Sequence, residues 1–238
     1  MTRDHVYQAP RDQIVDFVFD EAVARAFPDM IRRSVPGYET VVPLTGLIAA
    51  RYAVPGTHLY DLGCSLGATS LAMLRYLDAA GCTLIAVDNA EAMVGGARSA
   101  LEHDSRATVV HADIRDTSIE NASVVVMNYT LQFVSPADRG ALLARIRRGL
   151  VASGVLVLSE KVRLAEADEQ AEMDALHLAW KKANGYSHLE IAQKRTALEN
   201  VLIADTVETH LTRLRDAGFS RVTPWFSCLN WASILACP

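Results

Sequence analysis

The sequence predicts a doubly wound α/β domain built on a mostly parallel, seven-stranded sheet. Short apolar, β-rich runs recur between helical segments from residue 55 to 164. These runs are apolar throughout, without alternation, as expected of strands covered by helices on both faces. The first run ends in the turn DLGCSLG, Asp61 to Gly67, which opens a helix. That is where an open α/β sheet binds its ligand.

The elements follow in order along a single domain of residues 1–238. Residues 1–54 read as an N-terminal helical segment. Within it the pattern from Ile14 to Tyr52 is helical, broken at Pro28 and at Pro36-Gly37, with Val41, Leu44 and Ile48 on one face. Pro55-Gly56 punctuates the chain before the α/β core of 55–164 and 204–238. Strands are expected at Thr57 to Leu62, Thr83 to Val87, Thr108 to Val110, Ser123 to Met127 and Gly154 to Ser159. The helix after the glycine turn should bury Leu71, Leu74 and Leu77. Glu91 to Leu101 reads as the next helix, although Gly95-Gly96 weakens it. Ser135-Pro136-Ala137-Asp138 reads as a helix start, with Asp138 closing a capping box and Leu142, Ile146 and Leu150 repeating beyond it.

Alternation stops between residues 165 and 203, which read as a helical lid inserted at the sheet's edge. Its first helix is acidic at the start and basic before Asn184-Gly185, the order that a helix dipole favours. Its second helix starts from a capping box, Ser187 to Glu190, and runs to about Ile203. Thr206 to Ala217 is then a helix stopped by Gly218. The last two strands form an antiparallel hairpin through Ser227-Cys228, with Pro224 placing the first of them at an edge.

Composition narrows the function. Lys and Arg total 23 against 28 Asp and Glu, a net charge of −5, which argues against direct nucleic-acid binding. No apolar run approaches the ~18 residues of a membrane span. The polar start MTRDHVYQAP has no signal-peptide core, so a cytoplasmic location is expected. Cys64, Cys82, Cys228 and Cys237 form no CxxC pair, and the seven histidines have no metal-ligand spacing. Reduced thiols and no metal are expected.

The chemistry sits at successive strand ends. Gly63 lets backbone approach a ligand, and Gly67 lets the helix pack close to the sheet. A tight turn without a ligand is the bland reading, and the middle glycine of GxGxxG is absent. Asp88, about 20 residues after the last glycine, can accept from both ribose hydroxyls, or can simply cap the next helix. After the third strand, Asp113 can accept from an adenine amino group while Ile114 flanks the ring. Asn128 ends the fourth strand at the same edge of the sheet.

This arrangement resembles the class I S-adenosylmethionine-dependent methyltransferase fold, as does LRDAGF before the final strands. Longer strings are more specific: FPDMIRRSVPGY (27–38), YDLGCSLGA (60–68), DIRD with IENAS, NYTLQF (128–133), VLSEK (157–161), KKANGY (181–186), and QKR with LENV. They resemble the carboxy-S-adenosylmethionine synthase family over nearly the whole chain. The resemblance implies a homodimeric cytoplasmic enzyme of tRNA wobble-uridine modification, with S-adenosylmethionine and prephenate as substrates and carboxy-S-adenosylmethionine and phenylpyruvate as products. The product would pass to a tRNA carboxymethyltransferase. Carried over residue by residue, the contacts fall on Tyr38, Gly63, Cys64, Ser65, Asp88, Asn89, Asp113, Ile114, Asn128 and Arg195.

Arg195 also stands out on its own pattern. It lies near the stripe of Ile191, Leu198 and Leu202, so its guanidinium is expected to be buried and paired with an anion. A salt bridge to Glu199 is the bland reading. An ordinary methyltransferase has little use for a cation beside a sulfonium, whereas a carboxylate on the transferred carbon, or prephenate itself, accounts for it. Arg195 is therefore the expected catalytic residue. Read from residues alone, an ordinary methyltransferase and a non-catalytic nucleoside-binding module remain the alternatives. The first calls for an acceptor pocket with a general base, and the second leaves the lid unexplained.

Overall fold

The computed structural model describes residues 2–238. Five parallel strands, β1 (His58–Leu62), β2 (Thr83–Asp88), β3 (Ala107–His111), β4 (Ala122–Asn128) and β5 (Leu150–Lys161), are joined by antiparallel β6 (Arg221–Cys228) and β7 (Trp231–Cys237). The sheet order is β3-β2-β1-β4-β5-β7-β6. The order reverses between β2-β1 and β4, which opens a crevice at the carboxyl ends of β1 and β4.

The continuous apolar strands have a simple cause. Val124 and Val126 face one layer of helices, Val125 and Met127 the other, and all four are fully buried. On one side pack α2 (Tyr38–Tyr52), α3 (Ala68–Tyr76) and α4 (Glu91–Leu101); on the other pack α5 (Pro136–Gly149) and α8 (Val207–Asp216). Pro224 lies on β6, the edge strand, where its missing N–H costs no internal ladder bond.

Several expected details change. The helix α1 (Glu21–Ser34) runs through Pro28 unbroken, and residues 14–20 before it are not helical. Val23, Ala26 and Met30 on α1 are buried against Phe17, Met93 and Ala197, and that packing offsets the ~3 kcal/mol cost of an interior proline. On α2 the buried face is Val41, Val42, Thr45, Gly46 and Ala49, while Leu44 is exposed. Gly46 explains the rotation: a Cβ there would collide with the carbonyl of Ala72, so α2 and α3 meet through small residues. Leu71 is exposed for the same reason, and α3 buries Thr69, Ser70, Met73 and Leu74. The capping box at Ser135 does not form: the Asp138 N–H reaches the Ser135 carbonyl (2.9 Å), and the Asp138 carboxylate meets Arg115 (3.2 Å).

Between β5 and α8 the chain makes an excursion through α6 (Ala167–Ala183) and α7 (His188–Leu198). Its two ends meet: Val162 bridges Asp205, and the Arg163 N–H donates to the Asp205 carbonyl (3.0 Å). Fully buried Arg139 fixes this junction, donating to Ile203 O (2.8 Å), Val134 O (2.9 Å) and the Asp205 carboxylate (2.6 Å). The capping box at Ser187 and Glu190 is present. The helix it starts stops at Leu198, short of Ile203.

Candidate functional site

The turn after β1 is built for close approach. Gly63, Ser65 and Gly67 all have positive φ (79°, 50° and 86°). A Cβ on Gly63 would strike the Thr130 side chain, so glycine here is fixed by both φ and space. The N–H groups of Gly63 and Cys64 donate to Val87 O at 2.8 and 3.0 Å, clamping the turn to the end of β2.

Asp88 completes that clamp. Its carboxylate accepts the Ser65 N–H (2.8 Å) and the Ala90 N–H (2.9 Å). Burial raises its pKa, and those backbone donors oppose the rise. Asp88 is not the N-cap of α4, which is Ala90, but its bond to the Ala90 N–H braces that helix start and leaves further lone pairs on the carboxylate. Asn89 beside it is exposed, and its carbonyl is 3.1 Å from His111 Nε2. Asp61, at the end of β1, is fully buried and accepts from Ser70 Oγ (2.6 Å). Burial pushes its carboxyl up to about 7.

Asn128 carries a different signal. Its Nδ2 reaches Thr69 Oγ1 (3.3 Å) and Thr45 Oγ1 (3.4 Å), while its Oδ1 is buried with no hydrogen-bond partner among the described residues. An orphan acceptor beside the glycine turn suits a ligand bearing donors. Tyr38 opens α2 and packs on Tyr129, with ring centroids 6.1 Å apart; burial raises its phenol to about 12. Ile114 is buried in the core. Asp113 is held by Arg115 through 2.7 and 3.1 Å side-chain bonds, and the Arg115 hydrogen bond lowers its pKa although desolvation opposes. Asp88, the turn glycines and Asn128 fit a nucleoside substrate such as S-adenosylmethionine.

Arg195 differs from expectation: its side chain is exposed, and it makes no ion pair with Glu199. The buried face of α7 is Glu190, Ile191, Gln193, Lys194 and Ala197, a largely polar stripe. It is polar because α7 packs on the N-terminal segment, where the Gln193 amide donates to Tyr7 O and Ala9 O (both 2.9 Å). The buried cation is Lys194, whose Nζ donates to Ser34 Oγ (3.0 Å); burial lowers its pKa to about 8.

Sequence reading missed the device that shapes the other wall. Buried Glu160 accepts the N–H groups of Thr130 (3.3 Å), Leu131 (2.8 Å) and Gln132 (2.9 Å), holding the NYTLQF loop as a single 3₁₀ turn. Burial pushes its carboxyl up to about 8, against those donors and Arg139. Within that loop Tyr129 has φ 62°, a left-handed position costly for an aromatic residue. The signal available was a charged pair, Glu160-Lys161, closing an apolar strand.

A family model described as "Methyltransferase domain" matches residues 59–154. A carboxy-S-adenosyl-L-methionine synthase of Pseudomonas putida is 54% identical, over 99% of this chain and 98% of that protein. Relatives of the same name from Stutzerimonas stutzeri (52%, covering 99% and 98%) and Trichlorobacter lovleyi (52%, covering 98% and 97%) are also similar over their full length. Among solved structures, a putative O-methyltransferase from Nostoc punctiforme superposes with TM-score 0.66 at 14% identity, covering 92% of this chain and 59% of that one. Human N-acetylserotonin methyltransferase in complex with SAM gives TM-score 0.58 at 16% identity, covering 99% and 62%. The structural likenesses show the methyltransferase fold, and the full-length identities show more: the chain belongs to the carboxy-S-adenosyl-L-methionine synthase family.

Proposed function

We propose that this protein converts S-adenosylmethionine and prephenate to carboxy-S-adenosylmethionine and phenylpyruvate. The observation that carries the reading is the 54% identity over 99% of the chain to a relative bearing the synthase name. Aromatisation of prephenate releases carbon dioxide and hydroxide. The hydroxide takes a proton from the sulfonium methyl, forming water, and the resulting carbanion captures the carbon dioxide. The protein then has to bind and orient two substrates and exclude water, with no side chain needed as base.

In this reading Asp88 takes the ribose diol, Asp113 and Ile114 the adenine, and Tyr38, Gly63, Cys64, Ser65, Asn89 and Asn128 line the rest of the S-adenosylmethionine site. The excursion of 165–203 acts as a lid, and Arg195, exposed on α7, takes the new carboxylate. A homodimer in the cytoplasm, passing its product to a tRNA carboxymethyltransferase, completes the proposal. Leu44, Leu47 and Leu71, exposed on adjacent helices α2 and α3, supply apolar surface for such a dimer. Among the described residues no helix is long and apolar enough to cross a membrane. Mass analysis of the products from S-adenosylmethionine and prephenate tests the reaction.

A further inference from the structure

Two lysines, one at the foot of the excursion and one on its first helix, have no role in the site described so far. Lys161 ends β5, just past the carboxyl edge where Asn128 pairs with Ser159. Lys181 lies on α6, on the same face as Asp174 and His177. Both side chains are half-buried, yet neither ammonium makes a hydrogen bond or ion pair among the described residues. Burial lowers both pKa values, that of Lys181 to about 7, and Arg195 lowers both further.

Their position connects them to the nucleoside site. Lys161 pairs across the sheet with Trp231, whose Nε1 is buried without an acceptor among the described residues. The Trp231 ring meets Tyr129 (5.5 Å between centroids) and His177 (6.0 Å), and Tyr129 in turn meets Tyr38 (6.1 Å). One turn beyond His177 stands Lys181. The two lysines therefore sit on the opposite side of one aromatic run from Tyr38.

The local charge does not balance. Arg195 acts on both lysines, Lys194 and Lys161 act on Lys181 as well, and Asp174 is the carboxylate that opposes them. Asp174 is held only loosely, by Asn230 Nδ2 at 3.5 Å. Lys194, which also acts on Lys181, is hydrogen-bonded to Ser34 and offset by Asp4. With Lys181 about half protonated at pH 7, Lys161, Lys181 and Arg195 outweigh the one carboxylate by about one and a half positive charges in a chain whose net charge is −5. Uncompensated, partly buried ammonium groups are costly unless an anion meets them.

We propose that Lys161 and Lys181 form the carboxylate-binding subsite for the second substrate, a dicarboxylate seated beneath α6 beside the S-adenosylmethionine pocket. The inference rests on the proposed function for the identity of that dicarboxylate. The lysines bind and position it; they take no part in proton transfer.

Steady-state kinetics of the full-length protein with K161M, K181M and K181R test this, alongside calorimetric titration of S-adenosylmethionine. K161M and K181M should each raise the KM for prephenate at least tenfold, with kcat changed less and S-adenosylmethionine affinity within twofold of wild type. K181R should recover part of the loss. A structural role would show in thermal melts instead, without moving KM. A prephenate KM within twofold of wild type in both Met variants overturns the subsite while leaving the proposed reaction standing. If wild-type protein turns over no prephenate, the reaction fails first. Calorimetry with malonate on S-adenosylmethionine-loaded protein then decides: binding lost in K181M supports the subsite, and no binding, or equal binding, overturns it.

Discussion

The carboxylate of Asp88 accepts the backbone N–H of Ser65 at 2.8 Å, tying the end of β2 to the middle of the glycine turn after β1. The residue proposed to hold the ribose thus also holds the glycine turn. The second oxygen, on the Ala90 N–H, fixes the start of α4. Removing the carboxylate therefore loosens this frame as well as removing the proposed ribose contact.

Asp88→Ala should weaken S-adenosylmethionine binding by about 1.5–3 kcal/mol, the range for hydrogen bonds to a charged group. Calorimetry on a variant whose melting curve remains cooperative provides the check. Unchanged affinity would take Asp88 out of the site.

Gly63→Ala should be severe despite adding one methyl group. Its φ of 79° is unfavourable for alanine, and its Cβ would overlap the Thr130 side chain, which sits in the loop that Glu160 organises. We expect at least ~2 kcal/mol of lost stability, combining overpacking and backbone strain, read by urea denaturation. A loss under ~0.5 kcal/mol would show that the loop gives way freely.

His210 sets an acid limit on stability. It is 2% exposed, and burial, with help from Arg213 and Arg139 and against Asp205, lowers its pKa from 6.5 to about 4. Because the folded value lies below the unfolded one, the contribution is complete above pH 6.5 and is lost as the pH falls toward 4. Between about pH 7.5 and about pH 5 this amounts to about 2 kcal/mol. His210→Leu should lose that much less than wild type over the same interval. Parallel pH profiles for the two proteins would contradict the assignment.

Arg195→Leu should fold normally, because the side chain is exposed. It should bind S-adenosylmethionine as wild type does, since that ligand has no anion on its methyl carbon. Affinity for the carboxylated product should fall about tenfold or more as a charge-assisted bond is lost. Lysine should rescue only in part, lacking the guanidinium fork. A ratio of the two dissociation constants that stays constant would assign the carboxylate to other residues.

Much of this site was legible because its signals are local. The glycine turn, Asp88 and Asn128 each close a strand, and strand ends can be found from short apolar runs. Burial on α7 was not legible. Its inward face is largely polar because Gln193 and Lys194 satisfy backbone and Ser34 partners far away in sequence. The apolar stripe of Ile191 and Leu198 therefore marked only part of that face, and Arg195 beside it lies outside. The same limit hid Leu71 and Leu44, whose exposure follows from Gly46 drawing α2 against the Ala72 carbonyl. Lys161 and Lys181 escaped notice because the elements carrying them are far apart along the chain and meet only in the fold.

The central claim is carboxylation of S-adenosylmethionine at the expense of prephenate. Purified protein should be incubated with both substrates, and phenylpyruvate and carboxy-S-adenosylmethionine quantified together by mass spectrometry over time. The account predicts that the two appear in equal amounts and that neither forms when either substrate is omitted. Phenylpyruvate without the carboxylated sulfonium, or methyl transfer to an added acceptor in its place, would contradict it.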